Sequence, residues 1–411
     1  MRLLSLEIRE EQALREIRQS FAVSYEYPVL FTRDALGAGE EALLSVLRRA
    51  GPGPHRVLVA IDGGLLAADP RLPERLGRFG ERHAREVSWI AAPVAVPGGE
   101  ACKQDPALVE RFHRLVETHR IDRQSFFLVI GGGAVLDAVG YAAATAHRGV
   151  RLIRMPSTVL GQNDAGIGVK NAINAFGRKN FVGSFAPPFG VVNDLALLDT
   201  LPARDRISGI AEAVKVAVLK DAAFFDALHA GRSALAALEP AITEHMIVRC
   251  AELHLEHIRA GGDPFELGSA RPLDFGHWAA HALEEVSDGA LRHGEAVAIG
   301  VALDSLYARH VRLLDELACH RILATLEGVG FALADPALRW LDVEAALAAF
   351  REHLGGRLSI TLPVAIGRAT DVHEIDAEVM RACIAQLLRR DPRGEVPEHE
   401  SDLSDVRDRG R

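Results

Sequence analysis

The chain has 411 residues and a formal net charge of −9, with 48% hydrophobic and 25% charged residues. That length predicts two domains with ample core, in a soluble globular protein. The negative balance argues against sequence-independent nucleic-acid binding but leaves room for a local basic pocket that holds a phosphorylated substrate.

Aromatic residues make up only 6%, and alanine and leucine dominate, so much of the chain should be helical. Cys102, Cys250, Cys319 and Cys383 are scattered and form no CxxC pair. This fits a reducing, cytoplasmic compartment and no disulfide framework. The N-terminus is charged throughout, without the apolar stretch of a signal peptide. No run reaches about 18 uncharged apolar residues, so no membrane span is expected.

In chain order, residues 1–20 read as a charged helix or a loose arm. VSYEYPVLF (23–31) is β-rich, and Pro28 makes it an edge strand or a paired irregular segment. Residues 39–50 are helical. RVLVAIDGG (56–64) is a buried strand ending in Asp62, which either hydrogen-bonds a ribose hydroxyl or simply makes a turn. After a helix at 71–87, SWIAAPVAV (88–96) is another apolar strand. It runs into PGGEACK, where Glu100 and Lys103 either clasp a polar ligand or stand in solvent. A helix at 107–120 precedes SFFLVIGGGAVLDAVGYAAAT (125–145): strand, Gly131-Gly132-Gly133, helix. That order puts bare backbone N–H groups and a helix start against a pyrophosphate, although the spacing is not GxGxxG and a structural turn is the alternative. RGVRLIRMPSTVL (148–160) adds a strand and the polar turn Pro156-Ser157-Thr158. The alternation of strands and helices predicts a parallel α/β domain over 1–190 with helices on both faces. Residues 161–188, rich in Gly and Asn, place Lys170, Arg178 and Lys179 among small residues and read as an anion pocket or a long surface loop.

From about Val191 helical patterns run almost unbroken: 203–220, 222–238, 240–260, 277–287, 293–311, 315–329 and 342–354. The domain 191–388 should be mainly α-helical, with at most one strand pair near RLSITLPVAI (357–366). The charged tail, 389–411, should be disordered.

The helical half carries the stretch around which the chain is organised, LDFGHWAAHALEEVSDGALRHGEAVAIG (273–300). His277 and His281 lie four apart and share a helix face. His293 opens the next helix. Imidazoles from two helix starts can hold a divalent ion, and Glu212 in GIAEAVKVAVLK is the candidate third ligand.

GGEACK, GGGAVLDAVG, HRG, MPSTVL, DAGIGVK, GRKNFVGSF, LDTLPAR, GIAEAVK, FGHWAAHALE and HGEAVAIG follow one another in order. Over roughly residues 57–366 this set resembles the sugar phosphate cyclases, of which 3-dehydroquinate synthase is the best-known member. The resemblance implies the 3-dehydroquinate synthase-like fold and a metal, zinc or cobalt, on Glu212, His277 and His293. It implies NAD on Asp62, Glu100, Lys103, Gly131, Gly132, Gly133, Asp137, Ser157, Thr158 and Thr200. Asp164 and Lys170 would line the junction of cofactor and substrate, with Lys215 and His281 as further catalytic groups. Asn180, Lys179, Asp274, Arg271 and His254 would meet the substrate, and Arg148 would reach across a homodimer to the neighbouring site. Such enzymes oxidise a ring hydroxyl with NAD, eliminate phosphate, return the hydride and close the ring in an aldol step.

Several positions depart from the dehydroquinate synthase pattern. Asp274 stands where an asparagine is usual, Trp278 where a small polar residue is, and His254 where a substrate lysine is. The segment 261–272 is about two residues longer, and FREHLGG (350–356) has no lysine. DAGIGVK is similar to cyclases acting on sedoheptulose 7-phosphate, whereas His281 and Asn180 look like dehydroquinate synthase. Two substrates are therefore expected: 3-deoxy-D-arabino-heptulosonate 7-phosphate, giving 3-dehydroquinate, and sedoheptulose 7-phosphate, giving a valiolone-type cyclitol. Two rivals remain: a metal-dependent polyol dehydrogenase, against which the lysine cluster argues, and a catalytically silent binding homologue, against which the intact ligand set argues.

Overall fold

The computed structural model describes residues 8–11, 14–261, 265, 274–353 and 356–390. It opens on β1 (Ile8–Glu11) and β2 (Leu14–Ile17), an antiparallel pair, and not on the helix or loose arm expected for residues 1–20. The register sets Arg9 opposite Glu16 and Glu10 opposite Arg15.

The next strands are β3 (Val29–Thr32), β4 (His55–Asp62), β5 (Val87–Trp89), β6 (Val94–Val96), β7 (Phe126–Gly131) and β8 (Arg151–Pro156). The strand expected over 88–96 is split into β5 and β6 by residues 90–93, where Pro93 has no N–H to donate to a ladder. β9 (Lys170–Ala175) and β10 (Arg178–Phe185) pair antiparallel as a separate hairpin where a long loop was one expectation. β11 (Gly190–Asp194) returns to the main sheet.

That sheet is parallel throughout, in the order β3-β11-β8-β7-β4-β5, with β6 also on β4. Every residue of β7 is buried, which explains its unbroken apolar run. Two apolar clusters, one on each face, contain Ile61, Phe79 and Phe126, and Leu58, Phe112 and Phe127. From β4 the chain runs outward to β5 and β6, then crosses back to β7 on the other side. This reversal opens a crevice at the carboxyl ends of β4 and β7, the place where parallel sheets take ligands. Asp62 and Gly131 are the last residues of those two strands.

The sheet's last strand runs to Asp194, past the expected domain boundary at 190, and the helices begin at Ala203. The remainder is helical around one large core that includes Phe225, Met246, Trp278 and Leu326. One late antiparallel pair, β12 (Ile360–Ala365) and β13 (Arg368–Val372), matches the expected strand pair. The long pattern at 203–220 divides at Gly209 into Ala203–Ser208 and Ile210–Lys220. The helices His277–Val286 and His293–His310 cross almost backbone to backbone. A Cβ on Gly300 would stand 2.0 Å from the Gly276 carbonyl oxygen, and Gly276 has φ 77°. Only glycine fits both requirements. No described helix is long and apolar enough to cross a membrane. Of the expected disordered tail, residues 391–411 lie outside the described residues.

Candidate active site

The metal cluster forms from three helices. Glu212 sits in the first turn of Ile210–Lys220, where a carboxylate is favoured by the helix dipole. His277 and His293 each open their own helix. Ligand atoms of the three residues all lie within 4.8 Å of one another. Glu212 Oε1 is 3.6 Å from Nε2 of His277 and 3.6 Å from Nε2 of His293, too far for hydrogen bonds. Tetrahedral ligands about 2.1 Å from an ion stand about 3.4 Å apart, so the spacing suits one. Glu212 is 1% exposed and its Oε1 has no hydrogen-bond donor, a state that a bound cation would relieve.

Both imidazoles turn Nε2 inward because Nδ1 is occupied. His277 Nδ1 lies 3.2 Å from the Phe275 carbonyl oxygen, and His293 Nδ1 lies 3.2 Å from Glu284 Oε2. Such contacts fix the tautomer that leaves Nε2 free to coordinate. Burial, with the neighbouring Lys215 ammonium, holds His277 well below the usual imidazole range, so it is neutral and its lone pair is available. Burial works against a charge on His293 too, but the carboxylates of Glu212 and Glu284 outweigh it and raise its pKa in the metal-free protein.

Lys215 lies one turn after Glu212, 2% exposed, and its ammonium is paired to Glu212 Oε2. Burial opposes both charges, yet each sustains the other: Glu212 is held below, and Lys215 above, its ordinary range. Asp164 and Asp274 also favour the Lys215 cation. Asp164 Oδ1 stands 2.8 Å from His254 Nδ1, and that imidazole, against the effect of partial burial, keeps the carboxyl low. The expected catalytic Asp164 and substrate residue His254 thus form one pair. The His281 ring lies 5.6 Å from that of His277 and 6.4 Å from that of His293. A cavity of about 390 Å³ opens beside it, lined by Trp278, His281, Glu285, Trp340 and Phe350. Trp278, which stands where a small polar residue is usual, belongs to the helical core. It is 1% exposed and its indole N–H donates to Asp304 at 2.8 Å.

The expected NAD residues gather at the sheet crevice. Asp62 accepts from the Gly64 N–H at 2.8 Å and lies 3.5 Å from the Gly132 nitrogen. A Cβ on Gly98 would stand 2.5 Å from Asp62 Oδ1, so the carboxylate is ringed by bare backbone. Gly132 and Gly133 start the helix Gly133–Thr145 and pack against Thr158 and Ala165. The Ser157 N–H bonds the Gly131 carbonyl, and Thr158 Oγ1 accepts from Gly161 at 2.9 Å. Lys103 Nζ bonds Asp137 at 2.7 Å and also Asn180 Oδ1. Glu100 Oε1 accepts from Asn174 Nδ2 at 2.8 Å. Burial pushes Asp137 up against the pull of Lys103. Asn180 therefore sits with the nucleotide-side groups and joins them to the hairpin. Thr200 turns its hydroxyl onto the Leu197 carbonyl.

Lys170 opens β9 and is exposed, with its carbonyl held by Arg154 at 2.7 Å. Lys179 pairs with Glu284 at 3.2 Å, which links the hairpin to the metal helices. Arg148 is exposed on the turn after the helix Gly133–Thr145. Arg271 lies outside the described residues.

Sequence reasoning missed three residues. Glu284 falls seven after His277, on the His277/His281 face, and that spacing could have found it. Asp304 and Arg154 gave no local signal. Arg154 is fully buried and binds the carbonyls of Gly166, Gly168 and Lys170 and the side chain of Asn171.

Residues 93–208 match the family model described as 3-dehydroquinate synthase N-terminal, and residues 209–352 match 3-dehydroquinate synthase C-terminal. The chain is 38% identical over 321 residues to a 2-epi-5-epi-valiolone synthase of Streptomyces glaucescens, covering 77% of this chain and 81% of that protein. Among solved structures, ValA, the 2-epi-5-epi-valiolone synthase of Streptomyces hygroscopicus subsp. jinggangensis 5008 with NAD+ and Zn2+ bound, is 28% identical with a TM-score of 0.80. The match covers 91% of this chain and 100% of that one. A 2-deoxy-scyllo-inosose synthase, solved with carbaglucose-6-phosphate, NAD+ and Co2+, shares the fold at 21% identity and a TM-score of 0.70, over 87% of this chain and 96% of that one. Two consecutive family matches, a relative above one-third identity and the converged three-ligand cluster agree: this chain belongs to the 3-dehydroquinate synthase-like sugar phosphate cyclases.

Proposed function

We propose that the chain is a NAD- and divalent-metal-dependent cyclase that takes sedoheptulose 7-phosphate, eliminates its phosphate and closes the carbon chain to a valiolone-type cyclitol. The observation that carries the chemistry is the buried Glu212, His277 and His293 cluster with Lys215 paired beside it. The choice of substrate rests on the 38% identity to a 2-epi-5-epi-valiolone synthase. It is supported by the acids Asp164 and Asp274 near Lys215. The deoxy-heptulosonate substrate carries a carboxylate, which those acids would repel, so it is the weaker of the two expected substrates.

Glu212, His277 and His293 would hold zinc or cobalt, which supplies Lewis-acid polarisation of a substrate oxygen. Asp62, the Gly131–Gly133 turn and Thr158 would hold NAD, which accepts a hydride and gives it back. Lys215, kept ionised by Glu212, places a fixed positive charge where negative charge develops on substrate oxygen. His281, exposed at the edge of the metal cluster, would relay a proton to or from the substrate. His254, held through Nδ1 by Asp164, keeps Nε2 for a hydroxyl. Lys170 offers a cation to the leaving phosphate. Arg148, exposed on its turn, would serve a second copy in a homodimer.

The test is redox balance. With trace NAD and a divalent metal, many phosphates should be released per NAD with no accumulated NADH. Stoichiometric NADH from a simple polyol, without phosphate release, would make the chain a dehydrogenase instead.

A further inference from the structure

The two residues that flank His277 are held by one carboxylate. Asp304 belongs to the helix His293–His310 and is fully buried. Its Oδ2 accepts the Gly276 N–H at 2.8 Å, and its Oδ1 accepts the Trp278 indole N–H at 2.8 Å. Gly276 is the left-handed residue that caps the His277 helix, and it lies against Gly300 in the helix that carries Asp304. The His277 ring is held at Nδ1 by the Phe275 carbonyl. The same helix presents His293 at its first turn. One rigid element therefore supplies one ligand directly and grips the chain on both sides of another.

We propose that Asp304 is a positioning residue for the metal centre: by holding Gly276 and Trp278 it sets His277 Nε2 against Glu212 and His293. The proposal rests on the metal-site reading given above. It also explains the tryptophan next to His277. An indole is a large apolar group with a single N–H, and here that N–H reaches a buried acceptor on the neighbouring helix while the ring fills the core. Trp278 and Asp304 act as a pair, and neither is free to change alone without leaving a buried polar group unmatched.

The experiment measures metal affinity, apart from turnover. Zinc or cobalt is competed against a chromophoric chelator for the parent and for Asp304→Asn, Asp304→Leu and Trp278→Phe. NAD affinity is titrated by calorimetry, and the absorption of the cobalt-loaded proteins is recorded. Groups that orient metal ligands typically contribute 10- to 100-fold in affinity. Asp304→Asn keeps one acceptor and should lose about tenfold in metal affinity, and Trp278→Phe should lose a similar factor. Both should show an altered cobalt spectrum and unchanged NAD affinity. Asp304→Leu should lose about 100-fold. If that variant does not fold, the two conservative variants decide. Metal affinities and cobalt spectra equal to the parent's, with only a lower melting temperature, would overturn the proposal and leave Asp304 a core residue. A parent that binds no metal would instead overturn the metal-site reading itself.

Discussion

Lys215→Met tests whether the Glu212 carboxylate is held for a cation. The substitution keeps the side-chain length and removes the charge. Glu212 is 1% and Lys215 2% exposed, so water cannot replace the lost partner. Removing one member of a buried ion pair costs about 3–5 kcal/mol, because the other charge is left uncompensated. Here His293, whose pKa is raised in the metal-free protein, still faces Glu212 from 3.6 Å and offsets part of that cost. The metal-free variant should therefore lose about 3 kcal/mol, the low end of the range, in urea unfolding at neutral pH. Zinc at a thousand times its dissociation constant adds about 4 kcal/mol to any folded state that binds it, and it should restore most of the loss. The pH dependence has a definite sign. Glu212 is depressed in the fold, so its contribution is complete above the unfolded value of 4.5 and fades as pH falls below it. Without Lys215 that acid-side loss should shrink. A metal-free variant within about 0.5 kcal/mol of the parent, with no extra response to zinc, would refute the reasoning.

Burial raises the Asp304 carboxyl from 3.8 to about 7, against its two hydrogen bonds. The folded chain then holds a proton that the unfolded chain has released, so this group's contribution falls as pH rises from about 4 to about 7, by about 4 kcal/mol in all. Asp304→Asn should flatten that slope in urea titrations run across the range, and an unchanged slope would exclude Asp304 as its source. Arg154→Met strands the carbonyls of Gly166, Gly168 and Lys170. It should cost at least about 3 kcal/mol in chemical unfolding and lower turnover. Full stability would show that the 166–171 segment is held by other contacts. Lys170→Ala should keep parental NAD affinity and lower phosphate release by about 100-fold or more. Normal release would remove Lys170 from the reaction.

Much of the site was legible because its residues stand at element ends. Asp62 and Gly131 close apolar strands, and His277 and His293 follow the turns that start helices, so strand and helix periodicity located them. The β9–β10 hairpin was harder. Its turn is Phe176-Gly177, with φ of 53° and 72°, and two-residue turns with both φ positive usually carry Asn or Asp before the glycine. A phenylalanine there conceals the turn and leaves a run that reads as loop. The place of Trp278 was hidden for a different reason. Its bulk is visible in the sequence, but the acceptor that draws it inward lies 26 residues away on another helix. Arg154 illustrates the same limit: an arginine within an apolar strand gives no hint that three carbonyls of a later segment surround it. The Asp164–His254 pair likewise joins residues 90 apart that no spacing rule connects.

The central claim is a phosphate-eliminating cyclase for a heptulose phosphate without a carboxylate. Its most direct test is kcat/KM for phosphate release, measured side by side on sedoheptulose 7-phosphate and 3-deoxy-D-arabino-heptulosonate 7-phosphate, with NAD and zinc or cobalt present. The account predicts release from sedoheptulose 7-phosphate with a preference of at least about 100-fold over the deoxy-heptulosonate, the scale expected when a carboxylate must approach side chains of like charge. Release from the deoxy-heptulosonate alone would contradict it and make the chain a 3-dehydroquinate synthase that tolerates Asp274.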